Sequence, residues 1–166
     1  MNAFTADVAR ALNGPSWLTE RRVAAFEHWD GTPPPTAAEE IWRYSRVDAF
    51  DLGQYQPATS DGAFGSDSGV PVSIDPLMAQ LGERAGVVIV RNGRVVLAQV
   101  DDSLAAKGVV VGDLAATGAN GDVLARDSLG RCSRDTADWF VDLHDAFLLG
   151  GAFIQVPPGV VIDRPI

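Results

Sequence analysis

The strongest constraint on the fold of this chain is the run VVIVR-NG-RVVLAQV at residues 87–100. Two β-rich stretches are joined by Asn92-Gly93, a pair that tolerates the positive φ of a type I′ turn, and a two-residue loop of that kind closes an antiparallel hairpin. The register this implies sets Arg91 against Arg94, Val90 against Val95 and Ile89 against Val96. Below the arginine tip both faces are apolar, so both are expected to be covered by the rest of the chain. The chain has 166 residues, 46% of them apolar, enough to supply that cover within one domain or one domain with a small appendage.

Upstream of the hairpin the periodicity is helical. Phe4, Val8, Ala11 and Leu12 recur at helix spacing and are followed by Asn13-Gly14-Pro15, which predicts a short first helix and its stop. Ser16 is placed to cap a second helix reaching about Asp30, with Trp17, Leu18, Ala25, Phe26 and Trp29 as its apolar stripe and Gly31 as its end. Pro33, Pro34 and Pro35 fix φ and restrict the residues before them, so they form a stiff extended spacer. Thr36-x-x-Glu39 then reads as a capping box opening a third helix that carries Ile41, Trp42 and Tyr44. Residues 1–52 together read as a helical arm. Residues 53–73 are rich in Gly, Ser, Asp and Pro, bury too little to offset their ordering entropy, and read as a flexible linker.

Residues 74–166 read as an α+β segment. A short helix is predicted over 74–86 through Leu77, Met78 and Leu81, then the hairpin, then a strand at 109–111 and a Gly-rich acidic loop region through Asp127. A helix over 135–149 carries Ala137, Phe140, Val141, Phe147 and Leu148 and is closed by Gly150-Gly151. Strands at 152–156 and 160–163 are split by Pro157-Pro158-Gly159. The sequence stops at Ile166 beside a strand edge, which suggests a piece of a longer chain and self-association through that edge.

Charge narrows the function. With 22 acids against 13 bases the formal charge is -9, and such a field repels nucleic-acid phosphates and anionic membrane surfaces. No run of about 18 apolar residues is present, and the polar, acidic opening MNAFTADVARALNG is unlike a signal peptide, so a cytoplasmic location is expected. The single cysteine, Cys132, has no second Cys or nearby His with which to form a metal pattern.

The remaining candidates for chemistry are few. His144 shares a helical stripe with Phe140, Val141, Phe147 and Leu148, so it is expected as a hydrogen-bonded core or groove histidine; Asp142 and Asp145 are too near in sequence to orient it as a general base. His28, with Glu27 and Asp30, is expected on a solvated helix face, because their spacing scatters them around the helix. Cys132 lies beside Arg131 and near Arg134, cations that favour a thiolate, but it has no His in sequence reach and is expected as an inert loop cysteine. The glycines at 14, 31, 112, 118 and 121 form neither GxGxxG nor a Walker pattern. Trp42-Arg43-Tyr44 is of a type enriched at interfaces, with core packing as the default.

Two stretches and the hairpin resemble one family. Residues 15–52, PSWLTERRVAAFEHWDGTPPPTAAEEIWRYSRVDAFDL, resemble the opening of the SufD branch of the SufB/SufD family, with a tryptophan-leading helix, a proline break and Glu-x-x-Trp-Arg-Tyr before Asp-Leu. Residues 138–166, DWFVDLHDAFLLGGAFIQVPPGVVIDRPI, resemble the segment shared by SufB and SufD that leads into a β-helix, and IVRNGRVVLAQVD is similar to the Asn-Gly-Arg hairpin of SufD. The resemblance implies a non-catalytic scaffold subunit of iron-sulfur cluster assembly, the N-terminal portion of a longer protein. It implies SufB and SufC as partners, the first strands of a right-handed β-helix at the C-terminal end, and a cluster handled by the full complex. No catalytic, cofactor-binding or metal-ligating residue is assigned to this chain. Two other classes fit the residues: a regulatory or ligand-binding module whose Trp-rich helical surface holds a flavin or peptide, and an enzyme using Cys132 or His144.

Overall fold

The computed structural model describes residues 3–59, 70, 72–133 and 138–166. The chain divides into two units, one made of Met1–Ala63 with Ser128–Leu148, the other of Phe64–Asp127 with Leu149–Ile166. Helices and a few short strands make it α+β, with two separate two-stranded sheets and no closed sheet among the described residues.

In the first unit, α1 (Ala6–Ala11) is capped by the Thr5 hydroxyl, which accepts from the Val8 N–H at 3.3 Å. Helix α2 (Ser16–Asp30) starts one residue earlier than expected: Pro15 occupies the cap position and Ser16 is already helical, with no side-chain cap bond. Its buried face is Leu18, Arg22, Phe26 and Trp29, a stripe at helical spacing with an arginine in its middle; Trp17 and Ala25 flank it half-buried. Helix α6 (Trp139–Ala146) lies against α2. Asp138 caps it by accepting from the Phe140 and Val141 N–H groups at 2.9 and 3.0 Å, and it ends at Ala146, before Gly150-Gly151. Part of the longer helix expected here, residues 135–137, lies outside the described residues. Ala9, Phe26, Trp29, Trp139 and Ala146 form the core, with the Trp29 and Trp139 rings 5.4 Å apart and Phe4 edge-on to Phe147 at 5.0 Å. Each such ring pair adds about 0.5–1.5 kcal/mol beyond the area it buries.

The third helix does not form. Residues 36–55 instead make three 3-10 turns, Glu40–Trp42, Val47–Ala49 and Leu52–Gln54. Half of the capping box is present, the Thr36 N–H donating to Glu39 Oε1 at 2.9 Å. After it, side chains take the backbone groups a helix would need: Asp48 Oδ1 accepts from the Ala37 N–H at 2.9 Å, Ser45 Oγ donates to the Trp42 carbonyl at 2.7 Å, and Asp51 Oδ1 accepts from the Gly53 N–H at 2.9 Å. Short polar side chains compete with helical hydrogen bonds in this way, and Ser45, Asp48 and Asp51 together outweigh the periodicity. Of the stretch read as a linker, residues 60–69 and 71 lie outside the described residues.

In the second unit, the helix expected over 74–86 is confined to α3 (Asp75–Gln80), which leaves Leu77 and Leu81 exposed. The hairpin is β1 (Gly86–Arg91) and β2 (Arg94–Val100), joined by Asn92 at φ 48° and Gly93 at φ 82°. Arg91 faces Arg94 and Val90 faces Val95 as expected, but a bulge between Ile89 and Val90 shifts the ladder so that Ile89 faces Leu97 and not Val96. Only one face is well covered: Val87 and Ile89 are buried, Val88 is half-buried and Val90 is exposed.

Beyond the hairpin come α4 (Asp102–Ala105) and β3 (Val110–Asp113). The Gly-rich region read as loop contains α5 (Gly118–Ser128), where the Thr117 hydroxyl donates to Asp122 and Ala125 is buried. Strand β4 (Ala152–Gln155) pairs antiparallel with β3, Val111 facing Ile154 and Gly112 facing Phe153. Val160 to Asp163 is not a strand. Gly159 at φ 81° turns the chain, and Val160 and Ile162 pack on the core of Ala85, Leu104 and Val109. The backbone bonds there are single ties, such as the Ala85 N–H to the Pro165 carbonyl at 2.8 Å. Among the described residues no helix is long and apolar enough to cross a membrane.

Candidate functional site

The first unit holds the densest polar geometry, between α2 and α6. Arg22 is 0% exposed, and its guanidinium donates to three carbonyls: Nε to Leu148 at 2.6 Å, Nη1 to Leu12 and Nη2 to Asn13, both at 2.9 Å. Burial lowers its pKa from the ordinary value, yet a guanidinium remains charged in any folded protein. One side chain thus satisfies carbonyls at the end of α1 and beyond the end of α6, a role a neutral residue of that size cannot fill.

Next to it, Arg21 pairs with Asp145 and donates to the Leu129 carbonyl at 3.4 Å. Burial pushes the Asp145 carboxyl up, but the His144 hydrogen bond and the Arg21 charge and hydrogen bond outweigh it, so the carboxyl sits below its ordinary value. Further along, His28 Nδ1 lies 2.7 Å from Asp142 Oδ2.

The histidine expectations meet different outcomes. His28 is exposed as expected, its side chain 71% accessible, but its partner is Asp142 of α6 and not its own neighbours Glu27 and Asp30. His144 is not a core residue. Its side chain is 68% accessible, and Nδ1 reaches Asp145 Oδ1 at 3.5 Å, because the short α6 turns that position outward while Trp139 and Ala146 face inward. Cys132 is exposed, and Arg134 lies outside the described residues. Among the described residues no group of three or more His, Cys, Asp or Glu is placed to hold a metal.

The Trp42-Arg43-Tyr44 trio does not sit in the core as a block. Trp42 packs on Phe140 with ring centroids 5.4 Å apart, and Phe50 closes on Phe140 and Trp139 at 5.3 and 6.2 Å. Ile41 and Tyr44, 78% and 91% exposed, remain outside, and the Arg43 guanidinium lies 5.8 Å from the Tyr44 ring. Trp42 thus turns onto Phe140, while Ile41 before it and Tyr44 two residues on are left exposed. Tyr55 stacks on Phe50 at 5.7 Å and is itself half-exposed.

Within the second unit a cleft of about 710 Å³ is lined by Glu83, Arg84, Gln99, Asp101, Asp102 and Arg164, among others. Its cations are engaged: Arg164 pairs with Asp101, and Arg84 donates to the Met78 and Gly82 carbonyls at 3.4 and 3.3 Å. The cleft is therefore a braced surface feature more than a receptive charge site.

The chain matches the family model described as the SufBD protein N-terminal region over residues 9–166. It belongs to that family, as the N-terminal region of a SufB/SufD-type iron-sulfur cluster assembly protein. It is 25% identical to the iron-sulfur cluster assembly protein SufB of Bacillus subtilis over 167 residues, covering 96% of this chain and 35% of that protein. It is 27% identical over 172 residues to the SufBD family proteins Mb1496 of Mycobacterium bovis and Rv1461 of Mycobacterium tuberculosis, covering 99% of this chain and 20% of each. The chain thus spans between a fifth and about a third of the length of these relatives. No solved structure matches it.

Proposed function

We propose that this chain is the N-terminal portion of a SufD-type scaffold subunit, which takes part in iron-sulfur cluster assembly by holding other subunits in place and carries out no chemistry of its own. The observation that carries the reading is the family match across residues 9–166, with relatives described as cluster assembly proteins. The SufD branch is favoured over SufB by the Glu39-x-x-Trp42-Arg43-Tyr44 opening, and the exposure of Ile41 and Tyr44 supports a contact role for it. The partners in this reading are SufB and SufC, the location is the cytoplasm, and the longer protein continues into a β-helix.

Co-expression tests it. The parent protein with residues 9–166 is expected to purify with SufB and SufC, and its deletion variant to lose at least one of them. Assembly and cluster formation undisturbed by the deletion would overturn the scaffold role. Turnover of a small compound by the purified chain, abolished by Cys132→Ala or His144→Ala with the fold intact, would overturn the non-catalytic role.

A further inference from the structure

We infer that the displayed 3-10 segment around Ile41 and Tyr44 is a docking face for a basic amphipathic helix of a partner protein. The inference rests on the scaffold reading and adds the chemistry of the occupant. Three observations support it, all within the first unit.

The first is the division of labour in the segment. Trp42 is fixed on Phe140, while Ile41 and Tyr44 stand 78% and 91% exposed. A scattered exposed apolar residue needs no explanation, but an isoleucine and a tyrosine exposed on either side of a half-buried ring that packs on Phe140 form a preorganised anchor pair. Tyrosine is also among the residues that dominate interface energetics.

The second is rigidity. The backbone of the segment is tied by Asp48 to the Ala37 N–H, by Ser45 to the Trp42 carbonyl and by Asp51 to the Gly53 N–H. Little conformational entropy is left to lose on binding.

The third is charge. Residues 36–55 hold Glu39, Glu40, Asp48 and Asp51 against Arg43 and Arg46, four acids to two bases, and Arg43 is already paired with Glu40 at 3.2 Å. The chain as a whole carries -9. Apolar anchors on a segment and a chain of net negative charge call for an apolar stripe flanked by Lys or Arg, and the same field disfavours an anionic membrane or a nucleic acid as occupant.

The test is a titration of the 166-residue chain with a fluorescent amphipathic peptide of leucine and lysine, about 18 residues long, against its leucine and glutamate counterpart. The lysine peptide is expected to bind, the glutamate peptide not. The double variant Ile41→Ser with Tyr44→Ser is expected to weaken binding by at least about tenfold, the loss of two interface anchors, with an unchanged circular dichroism spectrum. Equal binding by the double variant would reduce the effect to general charge attraction and overturn the inference. Absence of lysine-peptide binding, or a preference for the glutamate peptide, would also overturn it. Co-purification of the same variants with SufB and SufC separates the two readings. Assembly that survives the double substitution counts against this face alone, whereas failure of the wild-type chain to assemble while the peptide still binds counts against the scaffold alone.

Discussion

Replacing Arg22 by methionine isolates the largest single tie in the first unit. The substitution keeps a long side chain in the stripe between Leu18 and Phe26 but removes donors from the Leu12, Asn13 and Leu148 carbonyls. A hydrogen bond from a charged donor is worth about 1.5–3 kcal/mol, so three of them amount to roughly 4.5–9 kcal/mol. Against this stands the desolvation cost of a buried guanidinium, several kcal/mol, which methionine avoids. The net loss is therefore about 2–4 kcal/mol, a large share of the ~5–15 kcal/mol that holds a domain together. All four tryptophans, at 17, 29, 42 and 139, lie in the first unit, so their fluorescence reports its unfolding selectively. With a urea slope of about 2 kcal/mol/M, the midpoint should fall by about 1–2 M. Arg22→Lys should fall between wild type and methionine, because an ammonium keeps the charge but cannot span three carbonyls. A methionine variant within about 0.5 kcal/mol of wild type would refute the assignment of Arg22 as a stabilising clamp and leave it a tolerated polar residue.

Three further outcomes follow from the same geometry. Asp145→Asn should destabilise the first unit near neutral pH. The native carboxyl has a lowered pKa, so its contribution is present above the unfolded pKa and disappears as pH falls through the folded one; the gap between variant and wild type in urea titrations should close below about pH 4. Gly86→Ala should cost about 1–3 kcal/mol in the second unit, because its Cβ would stand 2.7 Å from the Gln99 carbonyl oxygen, a backbone atom that cannot move aside; faster amide exchange across β1 and β2 is the readout. Asn92→Val should cost about 1–2 kcal/mol through its φ of 48°, while Asn92→Gly stays near wild type by thermal melting.

The parts legible in the sequence were those decided by neighbours in the chain. Asn92-Gly93 needs only its own two dihedrals to set a hairpin, and the α2 periodicity from Leu18 to Trp29 needs only its own turn. Where a side chain further along competes for the backbone, the local reading fails: Asp48 reaching back to Ala37 replaces the helix that Thr36 and Glu39 announce. Helix α5 was hidden for the opposite reason, since Gly118, Asn120 and Gly121 are poor helix formers outweighed by packing of Ala125. The bulge at Ile89 has no sequence mark, and the one-residue shift it introduces is invisible to alternation counting. Arg22 offered the clearest missed clue, a charged residue in register with Leu18, Phe26 and Trp29. A cation on an apolar stripe either ends the stripe or finds acceptors, and here Leu12, Asn13 and Leu148 provide them. Likewise His144 shares the sequence spacing of buried neighbours, but an α6 of eight residues presents it to water.

The contact of α2 with α6 also bears on how the protein emerges from the ribosome. His28 meets Asp142 across 114 positions and Arg22 meets Leu148 across 126. At translation speeds of about 5–20 residues per second, Trp29 waits roughly 6–23 s for the helix that covers it. During that interval a tryptophan-bearing helix and an uncapped arginine are exposed on the nascent chain, which makes this stretch a natural client for a holding chaperone and a point where slowed synthesis would lengthen the aggregation-prone interval.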